Sequence, residues 1–327
     1  MMSLPFFGFL IFIQRANIPT FKAIAKEYVQ EKMEYKSEDY IARFNNSMEK
    51  DVYKAFGNKP IKDVSSADIL SIMKNTVERV LNQGKHGTGE SAANINRRFI
   101  GLVMRYAIVT LRVENDPTYA VSEAIESPKI EHDRPFEKHE KNALREKIDI
   151  YGGSTTVKNA CLAMLYSTLR TVEIRKMEWN FVDFKERIIK FPKVSKRLKQ
   201  ERTMKKNRIH IVPISDQLLN ILNEQYAFTK DQKYVFPSPQ KRDCMISRTT
   251  LNKMLTYIGL NQVTAHDIRA TASTELNSLR YNSDWIETQL AHAEANKTRA
   301  AYNHAKYLND RRKMLQDWAD IIDSWNA

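Results

Sequence analysis

Glycine and proline are scarce for a chain of this length, with 9 and 10 among 327 residues. Both residues interrupt helices, so their scarcity favours a mostly helical fold. The length also exceeds what one small hydrophobic core usually serves, which predicts two domains. The fold class expected from these features is mainly α.

Three amphipathic stretches in the first part of the chain support this expectation. Thr20 is placed to cap a helix whose apolar stripe is Phe21, Ile24, Ala25 and Tyr28. A second helix is predicted to open at Ser65-Ser66-Ala67-Asp68, with apolar positions Ile69, Ile72, Met73, Val77 and Val80. A third follows Gly89, with apolar positions Ile95, Phe99, Leu102 and Tyr106, and with Arg97, Arg98 and Arg105 elsewhere on its circumference. These arginines fit a solvated face and a DNA contact equally well.

A polar stretch from Ser127 to Pro135 interrupts the helical pattern and indicates a domain boundary. We therefore predict a helical domain over 19–126, a linker over 127–137 and a second domain over 138–327. Beyond the boundary, 155–167 is predicted to be a helix whose apolar face is Val157, Ala160, Cys161, Met164 and Leu165.

After Trp179 the pattern changes to short strand-like segments. They are Val182 with Phe184, then 188–191, then 209–213, and they predict one small sheet. Residues 193–208, called the basic segment below, lie between the last two and hold eight Lys or Arg against one Glu. The basic segment is either a disordered loop or a hairpin that enters a DNA groove. Its candidates for DNA contact are Lys196, Arg197, Lys206 and Arg208.

Charge and cysteine usage narrow the class of protein. The formal net charge of +13 favours a polyanionic partner, although charge alone does not identify one. Two cysteines, Cys161 and Cys244, exclude a disulfide framework and fit a reducing cytosol. The apolar run from Leu4 to Ile13 is too short to span a bilayer and lacks the flanks of a secretory signal. We expect it to pack on its own protein or to be poorly ordered, and we expect no membrane function.

Four short stretches of the second domain concentrate Arg, Lys, His and Tyr. The first is LRTVE, with Arg170 and Glu173, and the second is KKNRIHIVPIS, with Lys205 and Lys206. The third is TAHDIRATAS, and the fourth runs from LAH to AAYNH, with His292 and Tyr302 ten residues apart.

In the third stretch, Thr264 can cap a helix and place His266 and Arg269 on one face of its first turn. An Arg and a His at a helix N-terminus form an anion site, because free N–H groups add to their charge. The opposite, apolar face would consist of Ile268, Ala272, Leu276 and Leu279.

Several enzyme classes lack their signatures in this chain. The histidines have no paired partner with a supporting carboxylate or cysteine cluster, so no metal site is predicted. A serine nucleophile elbow and a phosphate-binding glycine loop are also absent from the sequence. What remains is a polycationic, metal-free site with one candidate oxygen nucleophile.

The order of the four stretches resembles the signature of tyrosine recombinases of the phage-integrase family, which is Arg, Lys, His-x-x-Arg, His or Trp, then Tyr. The residues within these motifs are most similar to those of integrases of satellite phages and genomic islands. The resemblance covers 135–327 and, more loosely, 19–126. It implies a helical core-binding domain followed by an α+β catalytic domain with a small antiparallel sheet.

The resemblance also implies a role for each signature residue. Arg170 and Arg269 would hold the scissile phosphate, Glu173 would support them, and His292 would hydrogen-bond a phosphate oxygen. Such fixed donors stabilise the charge of a phosphodiester in place of a metal, so no cofactor is expected.

The remaining roles concern the nucleophile and the protons. Tyr302 would attack the phosphate and form a 3′-phosphotyrosine link, which conserves the bond energy for religation without ATP. Lys205 would protonate the 5′-oxygen leaving group, and His266 would assist proton transfer.

The chain departs from the family pattern in three places. Thr168 stands where the family commonly has Gly before the LR pair. The basic segment is longer than in the subgroup. The choice of Lys205 over Lys206 as the catalytic lysine therefore rests only on its position relative to the IVPIS motif. Relatives usually begin with a domain that binds accessory arm sites, whereas the apolar residues 1–18 predict no such module here.

The expected function is site-specific recombination that integrates or excises a mobile element. The expected partner is double-stranded DNA bound by a homotetramer in the bacterial cytoplasm, with accessory DNA-bending or excision-directing factors as further candidates. Two alternatives stay open from the sequence. One is a type IB topoisomerase, which uses similar chemistry on one duplex, and the other is a DNA-binding integrase remnant with a decayed active site.

Overall fold

The computed structural model describes residues 19–84, 87–128, 134–193, 209–291 and 307–326. These residues form two compact units, one before residue 129 and one from residue 134 on. Both units are mostly helical, and a small antiparallel sheet lies in the second, which confirms the predicted fold class. The apolar run at 4–13 lies outside the described residues. Within the described ranges, no helix has the length and apolar character needed to cross a bilayer.

The first unit consists of helices and short helical turns. The helices are α1 (Phe21–Lys32), α2 (Glu38–Ser47), α3 (Tyr53–Phe56), α4 (Ser66–Leu81) and α5 (Glu90–Val109), with a π-helical turn at Met48–Val52. Thr20 caps α1 by accepting the N–H of Ala23 at 3.3 Å, as predicted. Ser65 and Asp68 form a capping box at the start of α4, because each side chain accepts the other's N–H.

The buried face of α5 is wider than the sequence pattern predicted. Phe99 and Tyr106 are buried as expected, but Ile95 and Leu102 are only half-buried. The helix packs against α1, α2 and α4 at once, so further side chains turn inward: Ala93, Ile100, Val103, Met104 and Ala107. The apolar pattern of the sequence therefore predicted this helix correctly, but it predicted the centre of the buried face incorrectly.

The second unit surrounds a three-stranded sheet with helices. The strands are β1 (Val182–Asp183), β2 (Ile188–Phe191) and β3 (His210–Pro213). The helices are α6 (Lys138–Asp149), α7 (Thr155–Ser167), α8 (Thr171–Arg175), α9 (Asp216–Thr229), α10 (Thr250–Tyr257), α11 (Asp267–Ser278), α12 (Ser283–Gln289) and α13 (Leu308–Asp323). The strand order is β1-β2-β3 with antiparallel pairing, and Ile189 in the middle strand is opposite Val182 and Val212.

Helix α7 is the central helix of the second unit. The apolar face predicted for it is buried, but so is every other side chain from Asn159 to Ser167. This happens because α8, α9, α10, α11 and α13 all pack against it. Cys161 belongs to this core, and burial raises the pKa of its thiol to about 12.

Helix α13 fixes the C-terminal part of the second unit to α7. Trp318 is fully buried, and its indole N–H donates to the carbonyl oxygen of Leu165 at 2.9 Å. Met314, Leu315, Ala319 and Ile322 are buried along the same face. The C-terminal end of α7 is thus held by apolar core packing that begins at Met314, twelve residues after Tyr302.

Trp318→Ala is expected to lower the free energy of unfolding of the second unit by about 3–5 kcal/mol, because it leaves a large cavity in the core. All four tryptophans lie in this unit (Trp179, Trp285, Trp318 and Trp325), so urea unfolding followed by tryptophan fluorescence reports on it. Lys313→Ala, on the exposed face of α13, is the control and should change the value by less than about 0.5 kcal/mol. Similar small losses in both variants would contradict this account of the core.

Candidate active site

Arg170 is fixed by the acidic residue three positions after it. Its N–H donates to Glu173 Oε2 at 2.8 Å, and its guanidinium Nη1 donates to Glu173 Oε1 at 3.0 Å. Glu173 is fully buried, whereas a small part of the Arg170 side chain stays accessible. Since α8 begins directly after Arg170, the same carboxylate caps the helix and orients the guanidinium.

Thr168 forms the sharp turn between α7 and α8. Its φ of +56° lies in the left-handed region, which glycine adopts without the clash that a Cβ atom causes. This explains physically why a glycine suits the position. Thr168 is fully buried, and its hydroxyl finds no hydrogen-bond partner among the described residues. The turn directs the Thr168 carbonyl oxygen to Arg269, which donates to it through Nη1.

Arg269 lies in the first turn of α11 and is almost completely buried, with 5% of its surface exposed. Its Nη2 donates to the carbonyl oxygen of Leu290. Burial, and next the charge of Arg170, lowers the pKa of Arg269 to about 10. The guanidinium therefore still carries its charge at neutral pH.

The two arginines meet at the turn that follows α12. Arg170 Nη2 donates to the carbonyl oxygen of Ala291 at 3.3 Å, one residue after the Leu290 carbonyl that accepts from Arg269. Ala291 has a φ of +49°, so this turn is also left-handed. Both arginines thus converge on the residues directly before His292, although they come from separate stretches of the sequence.

The start of α11 differs from the sequence prediction. The helix begins at Asp267, so His266 precedes it as the cap residue, and Thr264 is not that cap. The Thr264 hydroxyl instead accepts the N–H of His266 at 3.2 Å in the turn before the helix. His266 is exposed and Arg269 is buried, so the two do not share one environment.

The apolar face of α11 is confirmed except at its end. Ile268, Ala272 and Leu276 are buried. Leu279 is 51% exposed, because it follows the last helical residue and the chain turns away there.

Asp267 is a buried residue of the site that the sequence analysis did not single out. Its Oδ2 accepts the N–H of Thr264 at 2.7 Å, and its Oδ1 accepts the N–H of Arg134 at 3.1 Å. The guanidinium of Arg134 in turn binds both carboxylate oxygens of Glu140 at 2.7 and 2.6 Å and lowers the pKa of that carboxyl. The spacing of Thr264 and Asp267, which is that of a capping box, was the available sequence signal.

Three of the predicted catalytic residues lie outside the described residues: Lys205, His292 and Tyr302. The same holds for the DNA-contact candidates of the basic segment, Lys196, Arg197, Lys206 and Arg208. The structure does describe the elements that flank these stretches. Strand β3 follows the basic segment, and α12 and α13 lie before and after the stretch with His292 and Tyr302.

The three arginines of α5 lie in the first unit and differ in their surroundings. Arg105 Nη1 donates to Asp116 Oδ2 at 2.7 Å, and Arg97 Nη1 donates to the carbonyl oxygen of Thr118 at 3.4 Å. Arg98 is exposed. In the described part of the chain, no group of three His, Cys, Asp or Glu residues is arranged to hold a metal ion.

Comparison with known proteins gives consistent matches over both units. Residues 136–309 match the phage integrase family, and residues 21–124 match the phage integrase central domain. The chain is 32% identical to prophage integrase IntZ of Escherichia coli (strain K12) over 306 residues, which are 93% of this chain and 71% of that protein. It is 28% identical to the integrase of Enterobacteria phage P4, over 93% of this chain and 69% of that protein, in keeping with the predicted subgroup.

The fold has close counterparts among solved structures. The crystal structure of a lambda integrase tetramer bound to a Holliday junction aligns with a TM-score of 0.65 at 13% identity. The alignment covers 91% of this chain and 84% of that one. At this level of identity the likeness concerns the fold.

Asp267→Ala is expected to lower the free energy of unfolding of the second unit by about 1–3 kcal/mol, because it leaves two N–H groups without their acceptor. Asp267→Asn keeps an oxygen acceptor and should lose less. Tryptophan fluorescence during urea unfolding measures both. Asp310→Ala, an exposed carboxylate in the first turn of α13, is the matched control. An equal effect at the two positions would show that the contacts of Asp267 contribute little.

Proposed function

The chain belongs to the phage integrase family, and on that premise we propose that Tyr302 is the nucleophile of its DNA strand exchange. It is a site-specific recombinase, an enzyme that cuts and rejoins DNA to move a genetic element. The observation that carries the assignment of the site is the convergence of Arg170 and Arg269 on consecutive carbonyls directly before His292.

Arg170 and Arg269 are proposed to bind the nonbridging oxygens of the scissile phosphate. Each guanidinium has five N–H groups, and the hydrogen bonds described above engage two of them. These bonds fix the planes of the two guanidinium groups, within the described part of the chain, before any substrate binds. Preorganised donors of this kind stabilise the charge that develops on the phosphate without a reorganisation step.

The covalent step is proposed to involve Tyr302, Lys205 and His292, which lie outside the described residues, and His266, which lies within them. The Tyr302 oxygen forms a bond to phosphorus while the bond from phosphorus to the 5′ oxygen breaks. Lys205 gives its proton to that leaving oxygen, and His266 assists proton transfer by accepting the proton that the Tyr302 hydroxyl loses. His292 donates a hydrogen bond to a nonbridging oxygen. Religation is the reverse reaction with the 5′ hydroxyl of another strand.

We propose double-stranded DNA as the partner and a homotetramer as the active assembly. The lambda integrase structure with a similar fold is a tetramer bound to a Holliday junction, which supports both parts of the proposal. A bacterial recombinase acts where the chromosome is, so we place the reaction in the cytoplasm. The match to the integrase central domain and the integrase relatives favour neither a type IB topoisomerase nor a decayed remnant.

The further DNA contacts are proposed to lie on α5 and in the basic segment. Arg98 is exposed and is the first candidate on α5. Arg97 and Arg105 are candidates as well, although both also hold the segment that follows the helix. Contacts to the phosphate backbone would make binding fall steeply with salt concentration.

Tyr302→Phe tests the nucleophile. On a nicked suicide substrate, the wild-type protein should form a covalent protein–DNA adduct at Tyr302 in excess EDTA, because no metal takes part. Tyr302→Phe should bind the same DNA and form no adduct. Peptide mapping of the adduct identifies the residue, and Tyr307→Phe is the nearby control that should react normally. An adduct at Tyr307, or a strict need for magnesium, would contradict the proposal.

Lys205→Ala tests the general acid. On normal DNA we expect cleavage to slow by ~10²–10⁴-fold, the usual contribution of a positioned acid. A substrate with a 5′-bridging phosphorothiolate has a leaving group that needs no proton, so it should restore most of the rate. Lys206→Ala is the matched control and should be affected little on either substrate. If Lys206→Ala shows the loss and the rescue instead, Lys206 is the acid.

A further inference from the structure

Arg311 is a buried cation that has no role among the proposed catalytic residues. It lies near the start of α13, and its side chain is fully buried. Its Nη1 donates to the carbonyl oxygen of Ile211 at 2.8 Å and to Gln289 Oε1 at 3.1 Å. Burial lowers the pKa of the guanidinium, which shows that desolvation opposes its charge here. An apolar residue would fill the same volume at a lower solvation cost, so the hydrogen bonds indicate a need for defined geometry.

Gln289 extends this contact to the central helix. It is also buried, and its Nε2 donates to the carbonyl oxygen of Ser167 at 2.9 Å. Ser167 directly precedes Thr168, whose carbonyl accepts from Arg269. One glutamine side chain therefore connects Arg311 to the turn on which a proposed phosphate-binding arginine rests.

The contacts of Arg311 and Gln289 lie beside the stretches that bear the other proposed catalytic residues. Ile211 is in β3, three residues after the end of the basic segment that bears Lys205. Gln289 ends α12 and comes three residues before His292. Arg311 comes nine residues after Tyr302. A single pair of side chains thus joins the two described ends of the stretch with His292 and Tyr302 to the described end of the stretch with Lys205.

We propose that Arg311 and Gln289 are positioning residues that hold these two stretches in the arrangement that cleavage requires. The proposal rests on the proposed function, because the pair acts through Lys205, His292 and Tyr302 and not on DNA itself. A displacement of about 1 Å at a reacting group can cost ~10²-fold in rate. A small loosening of the pair therefore reduces the rate of cleavage and leaves DNA binding nearly unchanged.

The test is single-turnover formation of the covalent adduct on the nicked suicide substrate, with protein in saturating excess. Arg311→Met and Gln289→Leu keep most of the side-chain volume and remove the hydrogen bonds. Each should slow adduct formation by ~10- to 10²-fold. The dissociation constant for the same DNA should change less than ~3-fold, since phosphate contacts elsewhere dominate affinity. The double variant should be about as slow as the slower single variant, because the two residues act as one unit.

Two further variants and one measurement separate positioning from general damage to the fold. Arg311→Lys keeps the charge but lacks the planar fork, so it should recover only part of the rate. Arg312→Met is the matched control and should react at the wild-type rate. Arg312 also donates to main-chain carbonyls, those of Glu186 at 2.6 Å and Arg187 at 3.2 Å, but these lie in the turn between β1 and β2. Urea unfolding of each variant gives the fraction that is folded under the assay conditions.

A wild-type rate in Arg311→Met and Gln289→Leu would overturn the inference. It is equally wrong if the loss of rate matches the unfolded fraction, or if the dissociation constant rises in parallel with it. The wild-type adduct on the same substrate tests the proposed function separately. Its absence overturns that function and this inference together, whereas its presence with normal variants overturns this inference alone.

Discussion

The placement of two like charges side by side is the constraint on which the site depends. Arg269 lies close to Arg170, and the positive charge of Arg170 adds to the effect of burial in lowering the pKa of Arg269. Three of their four described hydrogen bonds to protein go to neutral main-chain carbonyls, which orient a guanidinium without neutralising it. Glu173 is the carboxylate bonded to Arg170, and the negative charges of Glu173 and Glu287 both raise the pKa of Arg269 against the effect of Arg170. The carbonyl contacts thus orient the two guanidinium groups as the proposed binding of a phosphodiester requires.

The carbonyls that hold the arginines come from two turns with unusual backbone geometry. Thr168 and Ala291 both have positive φ although neither is glycine, a conformation that costs about 1–2 kcal/mol per residue. Such strain persists where surrounding contacts fix the backbone, and it is concentrated at functional sites. Here the contacts are visible, because Thr168 is fully buried and Gln289 bonds the residue before it. The local cost of these turns is offset by the packing of α7 and α12 into the core.

Periodicity was enough to predict the mainly helical fold and the small sheet, and the order of motifs singled out Arg170 and Arg269, which contact adjacent carbonyls. They failed where a residue's surroundings come from distant parts of the chain. The apolar stripe of α7 gave no sign that its other face would be buried, since that depends on five helices packing around it. Gln289 and Arg311 gave no signal either, because a lone polar residue in a helix predicts solvent exposure. Their partners, Ser167 and Ile211, are distant in sequence.

Two neighbouring guanidinium groups, as in the proposed phosphate site, impose a desolvation cost on the fold. A metal ion binds after folding and can leave, whereas two guanidinium groups must be desolvated and brought together as the chain folds. The stability needed for this must come from core packing near the charges. That is where α7 lies, with Trp318 bonded to Leu165 at the same end of the helix that leads into Thr168 and Arg170. The buried helix α7 and the left-handed turn at Thr168 are adjacent, so the packing of the helix offsets the conformational cost of the turn.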